Sequence, residues 1–259
     1  MKYLFVSGPP FGSHFWEQVV LRLQKYGGSA EFLELFHSEL NEPFTTWSCF
    51  LNNIEQQFMA LTKNKDSEPI ILVAHGYALP AITDWLVKKE RLKDISSVVL
   101  CNGPILKPDQ FLKILSSAPI LIRKSLYSSF FLKRFLSSSI GLRRLVINPY
   151  VMNHDIVVRL CDSTLMDKKI RQKHLLYFSL LNKQIPSTLP DHPEIHLCWG
   201  DQDPLYPTSL LLPLDHRPNI TRHDITGGQH LHPVERPWAI ADILNTIGTA
   251  VSNKINTAL

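Results

Sequence analysis

The stretch IILVAHGYALP, residues 70–80, decides how the rest of the chain is read. Ile70 to His75 carries no formal charge and reads as a strand buried on both faces of a parallel sheet. The chain then bends at Gly76, between the small residues Ala74 and Ala78, and continues at once as a helix to Lys88. A strand, a tight bend and a helix are the layout of a nucleophile elbow, where one residue is held strained above a helix N-terminus. Small flanking residues are needed because the backbone doubles back on itself. The middle residue of such a bend is expected to be Ser, Cys or Asp, and here it is Gly76.

To either side, short apolar runs alternate with amphipathic ones, the pattern of a mostly parallel α/β sheet. Tyr3 to Ser7 reads as a strand running into the loop GPPFGS, followed by a helix from about Phe15 to Tyr26. Ala30 to Leu35 reads as a strand, Phe44 to Thr62 as a long helix closed by KNKDSEP, and Ser97 to Cys101 as the strand after the elbow helix. From Ile105 to Pro190 the alternation stops and the chain reads as helical and Ser-rich. EIHLCWG and NITRHDI then resume the strand pattern, and Pro233 to Asn256 forms a closing helix. The expected organisation is a core in two parts, 1–104 and 191–259, interrupted by a helical cap at 105–190.

Composition agrees with one large domain carrying an insertion. A chain of 259 residues, 44% hydrophobic and 19% charged, can bury a core without staples and is neither disordered nor fibrous. The apolar start MKYLFV is too short for a secretory signal, and no run approaches the length of a membrane span. Cys49, Cys101, Cys161 and Cys198 lie far apart, which suggests reduced thiols in a cytoplasmic protein. A net charge of +4 is too mild to imply nucleic acid. No dinucleotide fingerprint, phosphate loop or metal spacing appears, so no cofactor and no metal are expected.

The charge is unevenly placed. Between Asp109 and Asp155 there is no acidic residue, while Arg123-Lys124, Lys133-Arg134 and Arg143-Arg144 recur every ten residues among Leu, Ile and Phe. That basic patch suits an anionic partner, an acyl carrier or a membrane surface, or else is a solvated helix face. Phe111, Leu115, Leu126, Phe130, Phe131 and Phe135 suggest a small apolar or acyl-type ligand under the cap, although such residues also serve as the cap's own packing.

Two further loops carry chemistry. In CWGDQDPLYP an acid follows a late strand, where it can orient a histidine; Asp203, bracketed by Pro204 and Pro207, is the better candidate and Asp201 the alternative. In TGGQHLHPVERP, Gly227 and Gly228 permit a tight turn before His230, which can reach toward the neighbouring acid; His232 packs in the loop. His230 and His232 have no third partner placed for a metal.

Taken in order, FVSGPPFGS, AHGYA, the helical segment, WGDQDPLYP and GGQHLHPVERP resemble the α/β-hydrolase family, in its cap-bearing esterase and C–C hydrolase branch, over nearly the whole chain. The resemblance implies an α/β-hydrolase fold with a helical cap, Asp203 and His230 as acid and base, and Gly76 in the nucleophile position. It implies an oxyanion site at the Tyr77 amide and in the loop Ser7-Gly8-Pro9, where members usually carry His-Gly. Members commonly have a leading hairpin, and this chain begins at the strand before the loop.

Two departures bear on activity. Gly76 has no side chain with which to attack a carbonyl. The second oxyanion donor would come from Pro9, which has no N–H, and Pro10 lacks one too. Ser7, Ser13, Tyr77 and His75 stand nearby, but none occupies the strained bend. Three readings follow. His230 and Asp203 serve non-covalent acid–base chemistry, such as lyase, cyclisation or water-activated hydrolysis. Alternatively the chain is an inactive pseudo-hydrolase that binds a small molecule or a partner, or an esterase whose serine was replaced by Gly76.

Overall fold

The computed structural model describes residues 1–36, 45–63, 68–106, 110–136, 138, 141, 145–146, 156, 159–160, 167–186 and 188–258. Six strands form one sheet: β1 Lys2–Ser7, β2 Ser29–Phe32, β3 Ile70–His75, β4 Ser97–Cys101, β5 Glu194–Gly200 and β6 Ile220–Ile225. The order is β2-β1-β3-β4-β5-β6, and every neighbouring pair is parallel. The central strands β3 and β4 are buried along their whole length, as the continuous apolar runs require. The chain steps from β1 outward to β2 and then returns to place β3 on the other side of β1. That reversal makes a crevice at the carboxyl ends of β1 and β3, where ligands bind in open α/β sheets.

The helices α1 Glu17–Lys25, α2 Trp47–Thr62 and α3 Leu79–Lys88 cover the sheet. Helix α1 is amphipathic and buries Val19, Val20 and Leu23. Helix α3 carries Pro80 in its first turn, where the missing N–H costs nothing. The expected closing helix is two: α8 His232–Glu235 and α9 Pro237–Ala258. The break falls at Arg236 (φ −132°, ψ 53°), because the ring of Pro237 disfavours helical backbone in the residue before it. Two other expectations shift. A helical turn, Ser13–Trp16, precedes α1, and the β2 ladder ends at Phe32 rather than Leu35.

Between β4 and β5 lie α4 Gln110–Ser117, α5 Ile120–Leu126, α6 Ser129–Leu136 and α7 Lys168–Leu181, and the described residues of this segment contain no strand. Asp167 caps α7, its carboxylate accepting from the amides of Lys169 and Ile170. Cys101 and Cys198 are partners across β4 and β5, buried and unbridged, whereas Cys161 lies outside the described residues.

The loop after β1 is seated against the bend after β3. A methyl group on Gly8 would stand 2.4 Å from the Tyr77 nitrogen and 2.6 Å from that of Ala78. Gly103, just past β4, approaches the Gly76 carbonyl as closely, at 2.3 Å for an added methyl. Neither neighbour is a side chain that can swing away. Gly8→Ala is therefore expected to cost about 1–3 kcal/mol, measured as a lower midpoint in urea; an unchanged midpoint would mean the loop does not press on the bend.

Candidate active site

Strand β3 delivers the bend. His75 is extended (φ −131°, ψ 145°) and Gly76 is left-handed (φ +62°), a conformation that glycine adopts without strain and most residues do not. The Gly76 amide donates to the Asn102 carbonyl at 3.0 Å, which ties the bend to the end of β4. Among the described residues, and apart from its own chain neighbours, a Cβ built on Gly76 would have a single neighbour within 4 Å, His230 Nε2 at 3.9 Å. The bend therefore faces the histidine across open space.

His230 reaches this point from the loop between β6 and α8. The loop is held close because Gly200 and Gly228 let two backbones meet: a methyl on Gly200 would lie 2.5 Å from the Gly228 carbonyl. His230 Nδ1 lies 3.0 Å from Asp203 Oδ2, and both side chains are buried. Asp203 Oδ1 accepts from the amides of Leu205 (2.7 Å) and Tyr206 (3.2 Å). Asn102 Nδ2 donates to Asp203 Oδ2, while Asn102 Oδ1 accepts from the Gly200 amide at 2.9 Å. Burial pushes the Asp203 carboxyl up, but His230, Asn102 and the Leu205 amide pull it down, and the outcome lies below the ordinary aspartate value. An ionised Asp203 accepts the Nδ1 proton of His230, an arrangement that in the neutral ring leaves the lone pair on Nε2, on the side of Gly76.

His75 points into the fold. Its ring lies 4.4 Å from that of Phe15, and its Nε2 donates to the His230 carbonyl at 2.9 Å. Burial, reinforced by the neighbouring His230, holds it well below the ordinary histidine range, so it is neutral. His232 is buried as well, its Nδ1 3.1 Å from the Gln229 carbonyl, with its pKa pushed down to about 3 by burial.

A cavity of about 150 Å³ opens above Gly76, Tyr77 and His230, walled by Pro9, Pro10, Tyr127, Leu132, Phe178 and Leu205. Its wall is mostly apolar, and its size is that of an engineered cavity known to admit a benzene ring. Tyr127, Leu132 and Phe178 come from the segment between β4 and β5; Tyr177 donates its hydroxyl to the Tyr77 carbonyl at 2.6 Å and anchors α7 over the bend.

Of the residues read from sequence, the structure brings together Asp203, His230, Gly76, Tyr77, Gly8 and Pro9. Ser7 is elsewhere: its hydroxyl donates to the Gly12 carbonyl at 3.0 Å, and with Ser13 it lines a neighbouring cavity of about 80 Å³. Alternation along β1 turns its side chain away from the bend. Asp201, the alternative acid, accepts from the Gly227 amide at 2.7 Å and shapes the loop instead. Among the basic pairs, Arg123, Lys124, Lys133 and Arg134 lie on α5 and α6, while Arg143 and Arg144 are outside the described residues. Among the described residues, no three His, Cys, Asp or Glu side chains converge as a metal site would require.

Asn102, Gly103 and Tyr177 are the residues that the sequence reading missed. The one signal was the Asn-Gly pair directly after a buried strand. Asn102 holds a left-handed backbone (φ 26°), a conformation asparagine tolerates better than most residues.

No family profile matches this sequence, and no curated protein sequence does either. Solved structures do. A 2-hydroxy-6-oxo-6-phenylhexa-2,4-dienoate hydrolase from Rhodococcus sp. strain RHA1 superposes with a TM-score of 0.73 at 14% identity, over 95% of this chain and 89% of that one. A serine hydrolase from the polyaromatic hydrocarbon-degrading bacterium Cycloclasticus zankles gives 0.69 at 17% identity, over 95% and 88%. A bromoperoxidase from Bacillus anthracis gives 0.62 at 17% identity, over 95% and 91%. The chain has the α/β-hydrolase fold. Its structural neighbours are α/β-hydrolase-fold enzymes of several kinds.

Proposed function

We propose that this protein performs non-covalent acid–base chemistry on a small apolar or acyl-type substrate, with His230 as the proton-transfer group and Asp203 as its orienting acid. The observation that carries the reading is the placement of His230 Nε2, 3.9 Å from where a Cβ of Gly76 would stand and on the wall of an apolar cavity. In this reading Gly76 occupies the nucleophile position of the fold, and the residues between β4 and β5 act as a cap. His230 takes a proton from a bound substrate, or from a water held over Gly76, and returns it to the departing group. No acyl-enzyme forms, because Gly76 offers no atom to carry one. A single developing negative charge can be met by the Tyr77 amide, whereas Pro9 and Pro10 have no N–H to donate.

The reading is tested by incubating the purified protein, beside His230→Ala, with a metabolite extract and following every compound by mass spectrometry. A compound consumed by the parent protein alone supports it and names the substrate. A compound that copurifies unchanged favours the second reading, a pseudo-hydrolase that binds its ligand; Pro9 and Pro10, which line the cavity without an N–H to offer, support that side.

The third reading, an esterase disarmed at Gly76, is tested by Gly76→Ser. The added side chain has room, and its hydroxyl would come within reach of His230 Nε2. The left-handed backbone is expected to cost about 1–2 kcal/mol of stability. With one oxyanion donor missing, hydrolysis of simple esters should stay about 10²–10³-fold below that of a complete site. Activity at the level of a complete esterase would instead favour replacement of an original serine.

A further inference from the structure

Helices α5 and α6 leave apolar side chains in solvent to a degree that packing does not explain. Leu121 is 77% and Phe130 75% exposed, and Ile120 and Ile122 are exposed beside them. α5 buries none of its residues, and α6 buries Leu132. The same pair of helices carries Arg123, Lys124, Lys133 and Arg134, none of which forms a salt bridge among the described residues. No acidic residue lies between Asp109 and Asp155 to neutralise them.

We propose that α5 and α6 dock this protein on an anionic lipid bilayer. Short basic segments with exposed Leu, Ile and Phe lie in the interfacial plane, apolar groups inserted and cations among the lipid phosphates. The other occupants fit less well. A second copy of the same face would bring four cations against four more. An acidic carrier protein would meet the charges and leave the apolar groups in water. An anionic bilayer takes both. The position also suits the cavity: Phe131 and Phe135 stack at 6.2 Å, and Phe135 and Leu132 continue onto the cavity wall, so an apolar ligand can pass between bilayer and site. The docking does not depend on the catalytic reading, because it is measured without turnover.

The test is sedimentation of the full chain with vesicles of phosphatidylcholine, alone or mixed with phosphatidylserine. Binding is expected to the mixed vesicles, weakened by salt and by omission of phosphatidylserine. Lys124→Gln with Arg134→Gln should weaken it by roughly 25-fold, about fivefold per cation. Leu121→Ser with Phe130→Ser should weaken it by at least about tenfold. All four residues are exposed, and the two double variants share none, so if circular dichroism shows one misfolded the other still decides. Absence of binding to the mixed vesicles, or full binding by either folded double variant, overturns the proposal. So does capture of an acidic carrier protein by a chain that ignores vesicles.

Discussion

His230→Ala is expected to lower the turnover of the native substrate by about 10²–10⁴-fold, the range a positioned acid–base group supplies. The variant should keep its fold, which makes the measurement clean. Asp203 would lose one partner but retain Asn102 Nδ2 and the amides of Leu205 and Tyr206, so no bare buried carboxylate results. The bond from His75 ends on the His230 backbone carbonyl, which alanine also has. The thermal midpoint should therefore move little while the rate collapses. The space left beside Gly76 opens on the cavity, so added imidazole should restore part of the rate. A variant that turns substrate over at the parent rate would leave His230 a binding residue and the acid–base reading without its base.

The second large effect is on stability in mild acid. His75, His174 and His232 are fully buried, and burial lowers all three, to about 3 for His174 and His232 and well below the usual range for His75. Their folded pKa values lie below the unfolded value of about 6.5. As pH falls through 6.5 the unfolded chain gains protons that the folded chain refuses. The stability these residues contribute is thus complete above about pH 6.5 and is lost toward lower pH. One unit below, each histidine costs about 1.4 kcal/mol, or about 4 kcal/mol for the three, a large part of a typical total. Asp203, lowered in the folded state, acts in the same direction but further down, its contribution being lost below about pH 4. Urea unfolding at about pH 7.5 and about pH 5.5 should show the drop, to which His196, lowered to about 4 by burial, adds in the same sense, and His232→Asn should remove about 1.4 kcal/mol of it. Equal stability at the two pH values would show that these imidazoles protonate inside the fold.

Several parts of this architecture are legible in one dimension. The run from Ile70 to Ala74 is wholly apolar because both faces of β3 are covered. Gly76 between two alanines marks the bend, since only small residues let a strand turn directly into a helix. Asp203 and His230 stand beside turn-forming residues, Pro204 and Pro207 in one loop and Gly227 and Gly228 in the other. Each of these signals is local, and local backbone requirements are what sequence records most directly.

Asn102, Ser7 and Tyr177 were not legible in the same way. Asn102 touches Asp203 across 101 residues of chain, and Tyr177 reaches the carbonyl of Tyr77 across 100. Neither partner is visible until the strands are laid in order. Ser7 lies at the expected strand end, yet its hydroxyl bonds to Gly12, because the side a strand residue faces depends on pleat and register.

The sequence by itself determined the strand and helix pattern, the absence of a side chain at residue 76 and the absence of N–H groups at residues 9 and 10. The first is a property of short-range periodicity, and the other two are properties of residue type that no packing can alter. Only the tertiary structure decided that Nε2 of His230 faces Gly76, that Asn102 locks Asp203, and that α5 and α6 leave Leu121 and Phe130 in water. Such facts depend on side-chain direction and on contacts between segments far apart in the chain, which are set when the sheet and its covering helices close around one core.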